Sequence, residues 1–521
     1  MRRKIPLLAL ATVVSAALLP LTPVNAATLV NAAPGNTGRT PIAWTACEDD
    51  PTAECGTIAV PIDWARPNGP AVDLALARRT ATDPAARIGS LVINPGGPGG
   101  SGVDSVLFGG RFSQEITRRF DVVGFDPRGV ARSHPLVCSA ALIAQEPSPF
   151  ITSRAAFAER LAYNARRRDD CRARSGPLYD HVDTLSVVRD LDAIRAALGD
   201  GKLTFYGKSY GTLIGQEYAE LFPQRVRALA LDSNMDHSLG TRAFLDTEAA
   251  TTQDSFDEFA AWCDRDASCA LHGRDVRAFW AGLLARADRG EISDPRDPEG
   301  TLTKLDLLRQ AFGAFYGPDW SELAQWLVAL DAGTEPPAAF SAEPAPPQTE
   351  VVPFPLQVAC EDYHLPVRDY QEYAAHLRRS ATLAPDMLAS PIAIGLAAGC
   401  LGQPAPIPNP QHPLRVSGSA PLLLGNAVHD PATAYVWAAG AAAQIGRAAT
   451  LLTYEGWGHG VYGHGDCTTR AFDAYLVSLT LPARGTRCPA VPPSAETGLQ
   501  RRPSWPGPSE PSAPGWANPL F

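Results

Sequence analysis

Apolar positions along the chain fall into two alternating rhythms. "SLVINPGG" (Ser90–Gly97) and "FDVVGFDPRG" (Phe120–Gly129) are continuous apolar runs that stop in Gly/Pro turns, the pattern of parallel strands buried on both faces. "DTLSVVRDLDAIRAALG" (Asp183–Gly199) instead gathers Val187, Val188, Leu191, Ile194 and Leu198 on one helical face. Asp183 or Thr184 can cap its start and Gly199 its end. A strand at Leu203–Tyr206, a tight turn, a helix at Thr212–Leu221 stopped by Pro223, and a strand at Val226–Asn234 follow. This alternation from about Asp73 to Asp236 predicts an α/β fold, a mainly parallel sheet covered by helices.

The rhythm breaks between about His237 and Arg415. Helical patterns such as "DVRAFWAGLLARADRG" and "WSELAQWLVALDAG" dominate there, joined by the Pro-rich "EPAPPQTEVVPFP", with little strand signal. Strand signals resume at "SAPLLLGNAV" (Ser419–Val428) and "ATLLTYEGWG" (Ala449–Gly458). The pattern predicts one sheet in two parts, residues 40–236 and 416–488, interrupted by a helical cap over 237–415. A single hydrophobic core stops growing beyond ~250–300 residues, so a chain of 521 residues needs such an insertion or a second domain. The Pro-, Ser- and Gly-rich stretch 489–521 is expected to be a mobile tail.

The first 26 residues lie outside this fold. Met1-Arg-Arg-Lys4, an apolar run from Ile5 to Leu21 and the small-residue site Val24-Asn-Ala26 predict a secretory signal peptide. Export changes the reading of the ten cysteines, which are expected to pair between sequence neighbours. Sequence alone does not fix the connectivity; the expected pairs are Cys47/Cys55, Cys138/Cys171, Cys263/Cys269, Cys360/Cys400 and Cys467/Cys488. No Cys-x-x-Cys pair exists and no His sits among the cysteines at ligand spacing, so neither a metal nor another cofactor is expected. The net charge of −10 becomes −13 once the signal takes away three basic residues, which suits neither nucleic acid nor an anionic membrane. A secreted, extracellular monomer, free of the membrane after cleavage, is expected.

The turn after the Leu203–Tyr206 strand reads Gly207-Lys-Ser-Tyr-Gly211. Gly-x-Ser-x-Gly between a strand and a helix is the nucleophile elbow: glycines let the backbone double back, and the Ser209 oxygen projects above the sheet. The backbone N–H of Tyr210 is one candidate oxyanion donor. The glycine-rich "NPGGPGGSG" (Asn94–Gly102) offers the second, Gly97 first and Gly96 next. In the order Ser, acid, His, Asp430 follows one late strand and His459 the next, both at strand C-terminal ends. His459 would take the Ser209 proton and Asp430 would orient the ring. His429 precedes the last strand, His464 lies near Cys467, and Asp466 follows the histidine, so all three are weaker candidates. Thr433 reads first as the cap of a helix starting near Ala434 and second as a hydrogen-bond partner of the acid loop, and Asp126-Pro-Arg128 as a turn fixed by an Asp/Arg pair.

With these residues in place the chain resembles the secreted tripeptidyl aminopeptidase-like α/β-hydrolases, relatives of the prolyl aminopeptidases. The resemblance runs from about Trp44 to Cys488, on "CGTIAVPIDWARP", "NPGGPGGSG", "FDPRGVARS", "AWCDRDASC", "GKSYGT", "HDPATAY", "GWGHG" and "LPARGTRC". It implies an α/β-hydrolase fold, a Ser209/Asp430/His459 triad under a helical cap, and release of short peptides or single residues from free N-termini. Pro95 stands where prolyl aminopeptidases carry histidine, which points to the tripeptidyl branch; Ala131 replaces a usual glycine, a change expected to matter little. A free N-terminus needs a carboxylate partner. Glu361 and Asp362, in "VACEDY", lead; Glu248 and Glu258 follow. The activities in view are a serine exopeptidase acting on peptides with a free N-terminus and, alternatively, an esterase or amidase using the same triad. A binding protein on a hydrolase fold would not need all three triad residues.

Overall fold

The computed structural model describes residues 41–493 except 110, 111, 296 and 335–348. The expected signal peptide and all but the first residues of the expected tail lie outside this range. Ten strands make the main sheet: β1 Thr45–Ala46, β2 Glu54–Pro61, β3 Ala71–Arg79, β4 Gly89–Asn94, β5 Phe120–Phe125, β6 Leu203–Lys208, β7 Val226–Asp232, β8 Leu422–His429, β9 Ala449–Trp457 and β10 Arg487–Cys488. Their order in space is β1-β2-β3-β5-β4-β6-β7-β8-β9-β10. From β5 to β10 all pairings are parallel, as continuous apolar strands require; β1, β2 and β3 add an antiparallel edge.

Alternate residues of one strand feed opposite faces: Phe205 joins the core that holds Leu213 and Ile214, whereas Tyr206 joins the core that holds Val103 and Val106. The helix after β4 and the helix after β6 therefore cover different faces of the sheet. Strands β4 and β6 are neighbours, so the loops leaving their carboxyl ends frame the crevice where open α/β sheets bind ligands.

The inserted region builds a core of its own around Trp280, Trp320, Phe259, Phe312 and Leu323. Its long helix, Thr241–Arg265, is followed by Val276–Asp288, Lys304–Tyr316 and Trp320–Ala332. This region is not free of strand: Val351–Pro353 pairs antiparallel with Val137–Ser139, and Ser293–Asp294 pairs with Asp297–Thr301. These pairings are too short to leave a periodic signal. All five expected disulfides are present, linking Cys47–Cys55, Cys138–Cys171, Cys263–Cys269, Cys360–Cys400 and Cys467–Cys488.

Candidate active site

Ser209 sits between β6 and the helix Tyr210–Leu221 with φ +56° and ψ −126°, a conformation that L residues rarely adopt and that costs on the order of 1–3 kcal/mol. Tertiary contacts enforce it. The Ser209 N–H donates to the Asp232 carbonyl at 2.9 Å, and the Ser209 carbonyl accepts from the Thr212 hydroxyl at 2.6 Å. The flanking glycines are required: a Cβ on Gly207 would lie 2.4 Å from the Gly211 carbonyl, and one on Gly211 would lie 2.7 Å from the Asn94 carbonyl. The helix begins at Tyr210, two residues earlier than the sequence suggests, so the Tyr210 N–H stands at a helix start with no intrahelical acceptor.

The glycine loop after β4 leans on this elbow. A Cβ on Gly96 would meet the Lys208 carbonyl at 2.4 Å. The Gly96 N–H is already given to Asn94 Oδ1 at 2.9 Å, whereas Gly97 lines the cavity in front of Ser209. Of the two, Gly97 is the better placed to present an amide.

Asp430 ends β8 in a dense hydrogen-bond nest. Its carboxylate accepts from the Ala432 and Thr433 amides (2.9 and 2.8 Å), the Thr433 hydroxyl (2.9 Å) and the Ser233 hydroxyl (2.7 Å). His459 Nδ1 approaches both carboxylate oxygens, at 2.9 and 3.1 Å. Burial alone would raise the Asp430 carboxyl; the electrostatic interaction with His459 and the bonds from His459, Ser233 and Thr433 outweigh it and hold the group below the ordinary range. An ionised carboxylate only accepts, so Nδ1 carries the proton and Nε2 presents its lone pair. The ring rests against Tyr316 (centroids 4.8 Å apart), whose carbonyl accepts the backbone N–H of His459 at 2.9 Å.

Several positions fall differently from the sequence reading. Thr433 does not cap the following helix, whose N-cap is Ala434 with no side-chain bond; it serves the acid instead. Asp126 and Arg128 do not pair. Asp126 accepts from Ser101, Val103 and Arg132, while Arg128 forms a fully buried fork with Asp190. Ala131 occupies φ +44°, where glycine would be unstrained. His429 pairs with Asp254 at 2.7 Å and stacks on Trp457, and Asp466 is exposed beside Arg470. Ser233, at φ +62°, joins Asp430 to the Gly460 amide, a role with no sequence signal.

An open-mouthed cavity lies in front of Ser209, with about 530 Å³ of empty space when the solvent at its mouth is included. Its walls are mostly apolar, among them Phe244 and Trp437, stacked 5.4 Å apart. Tyr316 and Thr433, which both touch His459, line it together with Ser209. Of the four carboxylates considered for an ammonium, only Glu248 lines it. Glu248 accepts from Ser390 at 2.7 Å, and burial pushes its carboxyl well above the ordinary range. Glu361 is engaged by the Val182 amide and Gln357, Asp362 by Thr184, Tyr210 and Asn409, and Glu258 by Trp457.

The family described as "alpha/beta hydrolase fold" matches residues 89–326, and that described as "TAP-like protein" matches residues 387–488. Serine protease Hip1 of Mycobacterium tuberculosis is 35% identical over 482 residues, covering 86% of this chain and 91% of the relative. The chain belongs to the tripeptidyl aminopeptidase-like α/β-hydrolases. Within this family, Tripeptidyl aminopeptidase of Streptomyces lividans is 29% identical over 494 residues (86% and 87% of the two chains). Carboxylesterase B of M. tuberculosis is 31% identical over 479 residues (84% and 86%). The protein is a serine hydrolase. In this tripeptidyl aminopeptidase-like chain the first match contains Gly97 and Ser209, and the TAP-like match contains Asp430 and His459. The long helix Thr241–Arg265, which carries Glu248, falls within the first match.

Proposed function

We propose that this protein is an exported, monomeric serine aminopeptidase that cleaves peptides near a free N-terminus. The observation that carries the reading is one cavity shared by the strained Ser209 and by Glu248, beside a His459 clamped by an ionised Asp430. Ser209 Oγ attacks the scissile carbonyl as His459 Nε2 takes its proton, and the Asp430 carboxylate stabilises the imidazolium. The Tyr210 and Gly97 amides receive the oxyanion. The leaving amine departs with the proton from His459, and water, activated by the same nitrogen, hydrolyses the acyl-enzyme. Glu248 receives the substrate ammonium and gives up its own proton as it does so. No metal or organic cofactor enters these steps. Five disulfides support an oxidising compartment.

An esterase acting on small acyl groups is the second reading, favoured by the apolar cavity walls. A panel of mono-, di- and tripeptidyl p-nitroanilides, free and N-acetylated, separates the two. An aminopeptidase loses turnover on acetylation, whereas an esterase or general amidase keeps it. Ser209→Ala must abolish turnover in either case; full activity of that variant overturns both.

A further inference from the structure

Directly behind the nucleophile elbow lies a buried polar cluster that the reaction scheme above does not use. Tyr210 contributes twice to this region: its backbone N–H follows Ser209, and its side chain, 5% exposed, crosses the cavity wall to donate its hydroxyl to Asp362 Oδ2. Asp362 is fully buried at the end of the helix Leu356–Asp362. It accepts three further bonds, from the Thr184 amide (2.8 Å), the Thr184 hydroxyl (2.6 Å) and Asn409 Nδ2 (2.8 Å). Four donors around one carboxylate fix its position as firmly as a backbone element. The same helix lends Ala359 to the cavity and is tied by Cys360–Cys400 to the end of the helix Pro391–Gly399.

The arrangement continues along the elbow helix. Glu217 stands two turns beyond Tyr210 on the same face, and Asn409 Nδ2 bridges it to Asp362, with 2.8 Å to each. His237 faces the Asp362 carbonyl through Nε2 at 2.6 Å and Glu217 through Nδ1 at 3.4 Å. Asp183 and Glu361 complete the titratable groups around the carboxylate, with Tyr363 the nearest further phenol.

We infer that Asp362 is a positioning residue for the oxyanion site: through the Tyr210 hydroxyl it holds the residue whose backbone N–H faces the developing oxyanion. A peptide N–H directed at an oxyanion is effective only when its orientation is fixed before the reaction. Tyr210 begins a helix, where backbone orientation is least constrained by helical hydrogen bonds, and the bond to Asp362 supplies the missing anchor from outside the helix. This inference rests on the assignment of Ser209 and Tyr210 made above, but not on the exopeptidase specificity.

The test compares Tyr210→Phe and Asp362→Asn with the native protein on a free-amine tripeptidyl p-nitroanilide and on p-nitrophenyl butyrate. Active-site titration with a serine-directed phosphonate normalises every rate to reactive Ser209. Expected is a fall in kcat of about tenfold with KM within about twofold, and an equal weakening of a peptidyl boronate, whose tetrahedral adduct places an oxygen in the oxyanion site. Unchanged kcat per titrated site and unchanged boronate affinity, with only a lowered melting temperature, would overturn it. Tyr210→Phe keeps the ring and the fold, so the comparison stands if Asp362→Asn does not fold. Should the phosphonate label a residue other than Ser209, the reading of the reaction fails instead. Should it label Ser209 while both variants match the native protein, this inference alone fails.

Discussion

The hydroxyl of Thr251, on the cap helix Thr241–Arg265, donates to the backbone carbonyl of Asp430 at 2.6 Å. One face of that helix therefore reaches several loops of the candidate site. Glu248 enters the cavity, Thr251 holds the acid loop, Asp254 holds His429, and Glu258 holds Trp457. Side chains three and four apart share a helix face, which lets one element reach all of these loops. The cap is part of the support of Asp430 as well as a cover over it.

Thr251→Val removes that donor and leaves the Asp430 carbonyl buried without it, a cost of about 1–3 kcal/mol. The expected outcome is a fall in kcat of about tenfold with little change in KM, checked by steady-state kinetics at matched phosphonate titre. An unchanged kcat would show that the bond from Thr251 to the Asp430 carbonyl does not bear on turnover.

Glu248→Gln keeps the side-chain volume and removes the charge. Because burial pushes the Glu248 carboxyl up, its capacity to take an ammonium grows with pH. That gain persists until the substrate amine itself loses its proton near about 8. The native KM for free-amine peptides is therefore expected to fall as pH rises toward the amine's own value. In the variant KM rises about tenfold or more and this pH trend disappears, while N-acetylated substrates are unaffected. The measurement is KM against pH for paired free and acetylated substrates.

Glu217→Gln tests the acidic cluster behind the elbow. Burial, then the Asp362 charge, hold the Glu217 carboxyl well above the ordinary range. A folded-state acid raised in this way contributes fully below its unfolded value of about 4.3, and its contribution is lost as pH rises toward the folded value. The amide cannot ionise, so the variant is expected to melt higher than the native protein at pH 8, by on the order of 2 °C, with the difference shrinking toward pH 4.5. Equal melting curves across that range would show that the cluster carries no such penalty.

Ala131→Gly addresses the turn after β5. Ala131 is held at φ +44°, a conformation costing an L residue about 1–2 kcal/mol that glycine does not incur. Glycine gives part of this back through the greater freedom of the unfolded chain. A gain of up to about 1 kcal/mol is expected in urea unfolding, with kcat unchanged.

Much of the site was legible because it depends on short-range chemistry. Gly207 and Gly211 are demanded by backbone contacts that no side chain survives, and Ser209, Asp430 and His459 follow strand ends whose apolar runs are visible in one dimension. Cysteines close in sequence paired as neighbours. What escaped was the choice among possible partners. Thr433 could cap a helix or serve the acid three residues before it, and the fold of that loop decides for Asp430. Arg128 finds its partner 62 residues away in Asp190, not at Asp126. Tyr316 and Thr251, in a cap whose periodicity reports only its own helices, carry no mark of the loops they support.

The α/β order, the elbow and a candidate nucleophile, acid and base in that order were legible in one dimension, because each rests on local periodicity, turn chemistry or spacing. The cysteine connectivity and the carboxylate that enters the cavity came from the fold. Glu361 and Asp362 lie side by side within the inserted region, yet backbone amides and hydroxyls from other elements already occupy their oxygens. Glu248, alone of the four carboxylates, lines the cavity that Ser209 faces. A carboxylate's role depends on which donors surround it, and here those donors come from segments that only folding brings together.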